Sequence, residues 1–197
     1  TYPRTDARVL STAVAKEIYR NIGGLRNFGP LADFAAKALD SGTWKLIART
    51  KYVNDKQITD HYAIIPTGQG LNNLAGLAPT AAKVYEVIVR RFLSIFYPPA
   101  VYQKVSITTK IKEESFFSNF KVLAEEGYLK VVGTGNAGKQ DSESDMDMNF
   151  FELLQTVKKG TVLPVKELTI KEGETSPPKR YNSGSIILAM ENAGQLI

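Results

Sequence analysis

The 197-residue sequence has no cysteine and only one histidine, His61. Disulfides and thiolate metal sites are therefore excluded, and a histidine-rich metal cluster cannot form. No apolar run approaches the roughly 20 residues that a membrane-spanning helix needs. No basic-then-apolar leader precedes a small-residue cleavage site, and a cytoplasmic home is the expectation. The chain opens on Thr1 rather than methionine and stops soon after its last helical segment, so a piece truncated at both ends is expected.

What is present is ordinary for a globular chain: 43% hydrophobic and 23% charged residues. The net charge of +5 is uneven. Residues 1–100 hold 13 Lys/Arg against 7 Asp/Glu, and residues 101–197 hold 12 against 13. A basic first half suits a polyanion partner. Simple charge scatter on a soluble surface is the alternative.

The hydrophobic period divides the chain. Leu10, Ala13, Val14 and Ile18 recur at helical spacing, with Gly23 and Gly24 as a stop. A second, alanine-rich helix precedes Gly42. A third begins at a Thr80 cap, uses Val84, Val87, Ile88, Phe92 and Ile95 as one face, and ends at Pro98-Pro99. Beyond these prolines the period becomes 2, in VYQKVSITTKI, in two pieces flanking Glu125-Glu126-Gly127, and in TVLPVKELTI. The expected fold class is α+β, a helical domain up to a boundary at Pro98-Pro99 followed by a small antiparallel β unit over residues 100–170. A helix from about Ser183 follows.

Two motifs are decoys. Gly133, Gly135 and Gly138 spell G-x-G-x-x-G, and Gly133 to Lys139 nearly spell a P-loop. Both need a following helix to face the phosphates. Here Gln140 and an acidic stretch follow, so a surface loop is expected. Asp145, Asp147 and Asn149 have the early spacing of a calcium loop but lack its glycine and closing glutamate.

The opening TYPRTD carries more chemistry. Pro3 biases Tyr2 toward extended backbone, and Thr5 or Asp6 can cap a helix starting near Ala7. Such a helix end would offer free N–H groups to a phosphate, and Arg4 would add a planar fork. A phenol beside a gripped phosphate is arranged to attack a phosphodiester. By these residues alone, a Tyr2 ring packed on the helix and a surface Arg4 remain the alternative.

TYPRTD also resembles the active-site tyrosine motif of type IA DNA topoisomerases, in particular the topoisomerase III branch. DHYAIIPT (60–67) resembles the family's histidine segment, VYEVIVRRFLSIFYPPA the helix closing its tyrosine domain, and TSPPKRYNSGSIILAMENAG its re-entry from the β gate. The order matches, from residue 1 to about 194. The resemblance implies that residues 1–98 are a helical catalytic-tyrosine domain, 99–175 part of a β-rich gate domain and 176–197 the start of the following helical domain. It implies that Tyr2 is the nucleophile that becomes joined to a 5′ phosphate. Arg4 would grip the scissile phosphate, and His61 would lie near it. Tyr62 stands where the family often has a second histidine and can stack on a base. Lys179 and Arg180 fall in a strand-contacting segment, or are a solvated basic pair. The family's Mg²⁺ and proton-transfer help come from an acidic Toprim domain absent from these residues. The segment by itself is therefore expected to bind no metal and to be inactive. Single-stranded DNA is the expected partner, with no membrane, and pairing of exposed β edges into a dimer is a further expectation. A non-catalytic single-strand-binding module is the rival reading.

Overall fold

The computed structural model describes residues 5, 7–133, 152–154, 156–165, 167, 169–170, 172–191 and 193. Tyr2, Arg4 and Asp6 lie outside the described residues, as do all decoy-motif positions beyond Gly133. The chain divides into two units, Thr1–Val157 and Lys158–Ile197.

The first unit starts with a short extended segment that pairs in parallel at Leu10 with Val53. Helix α1 follows over Thr12–Gly24, not from Ala7. The apolar spacing began at Leu10, but the backbone of Leu10 is committed to its neighbours across the chain. The helix cap is instead Ser11, whose Oγ accepts from the Val14 N–H at 3.1 Å. Thr5 Oγ1 only closes a local turn with the Ala7 N–H. Gly23 and Gly24 fall at the helix end as expected, but neither has positive φ; Gly24 is small because another backbone crosses it.

Helix α2 spans Ala32–Asp40 and α3 spans Pro79–Ser94. With three-ten turns between them, they enclose a core of Ile18, Ile22, Leu25, Leu31, Val89 and Leu93. The buried stripe of α3 runs through Val89, Phe92 and Leu93, flanked by Tyr85. Val84 is 55% and Val87 49% exposed, so the expected face is rotated. Apolar residues surround this helix, and period alone could not choose among them. Thr80 lies inside the helix rather than capping it, because Pro79 already occupies the first turn.

After Pro98-Pro99, strands β1 (Val101–Ile111) and β2 (Glu114–Glu125) form an antiparallel hairpin. The two-residue turn places Lys112 at φ 54. The base is fastened to the helical body: the Tyr128 N–H donates to the Pro98 carbonyl at 2.8 Å. Gly127, at φ 50, lets the chain cross Pro98 and Pro99 where a Cβ would collide with their carbonyls. The next residues, expected as a strand, form the short helix α4, Leu129–Val132. Burial of Val131 and donation by Arg90 Nη1 to the Val131 carbonyl at 2.9 Å favour the helical turn. An Arg90–Glu86 ion pair holds that arginine in place. The fold is thus helices followed by a two-stranded antiparallel hairpin.

In the second unit, TVLPVKELTI carries no strand among its described residues, and Val162 and Ile170 are exposed. β-branched runs signal strands only when an edge is there to pair with. Helix α5 spans Ser183–Glu191. Asn182 and Ser185 bond reciprocally at its start: the Ser185 N–H donates to Asn182 Oδ1 and the Asn182 N–H to Ser185 Oγ.

The two faces of α3 make a test. Leu93→Ala should lower unfolding free energy by about 2–5 kcal/mol in urea titrations. Val87→Ala should change it by no more than about 0.5 kcal/mol. A large loss at Val87 would contradict the packing.

Candidate functional site

The lead-in to α1 is held on both sides. The Leu10 N–H donates to the Tyr52 carbonyl at 2.8 Å, and the Asn54 N–H donates to the Leu10 carbonyl at 3.1 Å. On the opposite side, the Ala63 N–H donates to the Val9 carbonyl at 2.9 Å. Val9 and Leu10 are buried. A buried carbonyl left without a partner costs about 1–3 kcal/mol, so the Ala63 contact is costly to break. It sets the DHYAIIPT segment beside the residues that continue TYPRTD.

That segment divides by exposure. His61, Tyr62 and Ile64 are exposed, whereas Ala63 and Ile65 pack against the core and Pro66 is buried. The inward residues anchor the segment and leave the imidazole and phenol outward. The far end is anchored too, since Asn21 Nδ2 donates to the Pro66 carbonyl at 2.8 Å. Gly68 follows at φ 71 and meets Gly24 backbone to backbone. A Cβ on Gly68 would lie 2.7 Å from the Asn21 carbonyl oxygen and 2.9 Å from the Gly24 Cα. Two glycines, one in α1 and one in the loop, thus permit the close approach that fixes the segment's exit.

The N-terminus of α1 is already occupied. Asp55 Oδ1 accepts from the Thr12 N–H at 2.8 Å, and Oδ2 accepts from the Thr12 hydroxyl at 2.6 Å. The Thr12 hydroxyl first, and its backbone N–H second, hold the Asp55 carboxyl below the ordinary carboxylate value. Asn54 starts this turn by accepting from the Lys56 N–H. At this helix end the Thr12 N–H, one of the groups that a phosphate was expected to use, is taken by the chain's own carboxylate.

His61 and Tyr62 are adjacent on the outward part of one anchored segment. Tyr2 and Arg4 lie outside the described residues. Lys179 and Arg180 belong to the second unit, exposed and just ahead of the Asn182 turn that opens α5. Among the described residues, no three His, Asp or Glu side chains gather as a metal-ion group. These described residues offer no fit for the family's Mg²⁺. Among the same residues no helix is long and apolar enough to cross a membrane. Sequence reasoning missed Asn21, Gly68, Asn54 and Asp55. A G-x-G pair after IIPT was the available signal for the backbone crossing; nothing local marked Asp55, whose partner is 43 residues away.

The family pattern described as DNA topoisomerase matches residues 1–194. The chain belongs to the type IA DNA topoisomerases. Its relatives include proteins named DNA topoisomerase 3: one from Bacillus licheniformis is 35% identical over 192 residues, and one from Bacillus subtilis is 32% identical over 192. A third, from Bacillus cereus, is 31% identical over 194 residues. Each alignment covers 98% of this chain and 25% of the relative, so the chain spans about a quarter of their length.

Two substitutions test the anchors. Gly68→Ala should destabilise by about 1–3 kcal/mol in urea titrations, through its φ and the Asn21 collision. Asp55→Asn should destabilise at neutral pH. Because the folded pKa of Asp55 is depressed, its contribution is present above the unfolded pKa and fades as pH falls through the folded one. The stability gap between parent and variant should therefore close in acid; a gap independent of pH would contradict the Thr12–Asp55 contact.

Proposed function

We propose that this chain is the part of a topoisomerase III-type enzyme that supplies the strand-cleaving tyrosine and the histidine segment beside it. The supporting observation is the Ala63–Val9 hydrogen bond, which joins the histidine segment to the continuation of the tyrosine motif. Residues 1–98 are the catalytic-tyrosine domain, 99–175 part of the gate domain and 176–197 the start of the next helical domain. The substrate is single-stranded DNA.

In the cleavage step the Tyr2 phenolic oxygen forms a bond to phosphorus and the bond from phosphorus to the 3′ oxygen breaks. The phenolic proton leaves and the 3′ oxygen departs as a hydroxyl. One phosphodiester is exchanged for another, so no nucleotide cofactor is consumed. Religation reverses both bonds after a strand has passed. A free phenol has a pKa of about 10, so attack near neutrality needs charge stabilisation or proton removal. Arg4 supplies cationic stabilisation to the phosphate. His61, outward on its anchored segment, is the imidazole that assists the same phosphate, and Tyr62 beside it stacks on a base. Lys179 and Arg180 contact the strand backbone. Mg²⁺, which the family's acidic Toprim domain would hold, would supply further charge neutralisation.

The test uses the full polypeptide and an end-labelled single-stranded oligonucleotide, with denaturation to trap adduct. The parent should form a protein–5′-phosphate adduct, Tyr2→Phe none, and His61→Ala adduct at a rate lower by about 100-fold. Adduct persisting in Tyr2→Phe would refute the assignment. Strand binding without adduct in the parent would favour a non-catalytic single-strand-binding module.

A further inference from the structure

The β1–β2 hairpin has two unlike faces. Strict pairing from Tyr102–Leu123 to Ile111–Glu114 assigns each residue to one of them. One face is largely apolar, carrying Val105, Ile107, Phe116 and Phe120. The other carries Tyr102, Lys104, Lys110, Phe117 and Lys121, with a Ser106–Asn119 hydrogen bond of 2.8 Å at its middle. No acid belongs to this second face: Glu113 is in the turn, Glu114 pairs with Ile111 on the other face, and Glu125 pairs with Val101 at the base.

Two features of this face are unfavourable for a hairpin standing alone. Lys104 is directly opposite Lys121, and like charges at that spacing repel. Phe117 is 75% exposed. Both are relieved by one kind of ligand. A chain of phosphates neutralises the lysines, and a base covers the phenyl ring. The order along the hairpin interleaves the two functions: Tyr102, then the Lys104–Lys121 pair, then the Ser106–Asn119 bond, then Phe117, then Lys110. Lys121 Nζ already lies 5.6 Å from the centre of the Tyr102 ring. From Tyr102 to Lys110 an extended strand covers about 26 Å, room for several nucleotides. An apolar protein partner would leave three ammonium groups desolvated without counter-charge, which makes it the poorer occupant.

We propose that the Lys104–Lys110–Lys121 face of the β1–β2 hairpin is a single-stranded nucleic-acid track, with phosphates on the lysines and bases on Tyr102 and Phe117. The site uses none of the residues of the tyrosine and histidine motifs. It rests on the reading that the protein handles DNA strands, but not on Tyr2 being the nucleophile.

The test measures binding of a fluorescent oligothymidylate to the full polypeptide across a salt series. Neutralising all three lysines in Lys104→Gln/Lys110→Gln/Lys121→Gln should reduce the slope of log affinity against log salt by about 2, three phosphates at about 0.7 each. Phe117→Ala, an exposed substitution that should not disturb folding, should weaken binding about tenfold with little change in slope. Lys37→Gln on α2 is the control and should alter neither. With p-benzoyl-phenylalanine at position 117, light should crosslink the protein to the oligothymidylate. Unchanged affinity and slope in the triple variant would overturn the proposal, as would a crosslink only to the polypeptide itself. Tyr2→Phe separates the two readings: it should abolish covalent adduct while leaving this salt slope intact. Loss of the hairpin effect with adduct retained would overturn the track alone.

Discussion

The structure depends on one short piece of extended chain. Residues Val9 and Leu10 are buried, and their backbone groups are claimed by Tyr52, Asn54 and Ala63. A buried peptide group must find a partner. Here the partners come from two loops that have little regular structure of their own. The segment therefore organises those loops as much as they hold it. One of them brings Asp55 to the start of α1, and the other brings His61 and Tyr62 to the lead-in.

The second constraint is the backbone crossing of Gly24 and Gly68. With the Asn21–Pro66 bond it fixes the exit of the histidine segment against α1. Together with the Ala63 contact it ties the segment at two points, one to the extended lead-in at Val9 and one to a helix whose inner face is part of the core. Exposure of His61 then follows from anchoring rather than from looseness. An outward imidazole bracketed in the chain by the Asp55–Thr12 and Ala63–Val9 contacts is suited to meet a ligand with little reordering of its loop, which reduces the entropic cost of binding.

Much of the fold was legible. Three helices, the prolines that end the third and the strand period after them were all readable, because periodicity and breakers are local. The errors have physical causes. Leu10 fits the helical spacing, yet its backbone serves Tyr52 and Asn54, far along the chain. Val84 and Val87 fit a helical face, but α3 is apolar around most of its girth and tertiary packing chose Val89 and Leu93. Tyr128 to Val132 are rich in strand-forming residues, but Arg90 reaches the Val131 carbonyl and a helical turn forms. At the site, the residue types in TYPRTD and DHYAIIPT were visible in the sequence; their junction was not, because a backbone hydrogen bond between Ala63 and Val9 leaves no mark on either side chain. The anion seat assigned to the first helix end was misread for the same reason, since only the fold brings Asp55 to Thr12.

The central claim is that the histidine segment is bonded to the continuation of the tyrosine motif, and amide hydrogen exchange reads that bond directly. The Ala63 amide should exchange slowly, like those of Leu10 and Asn54, although His61, Tyr62 and Ile64 around it are exposed. An Ala63 amide exchanging as fast as its exposed neighbours would contradict the account.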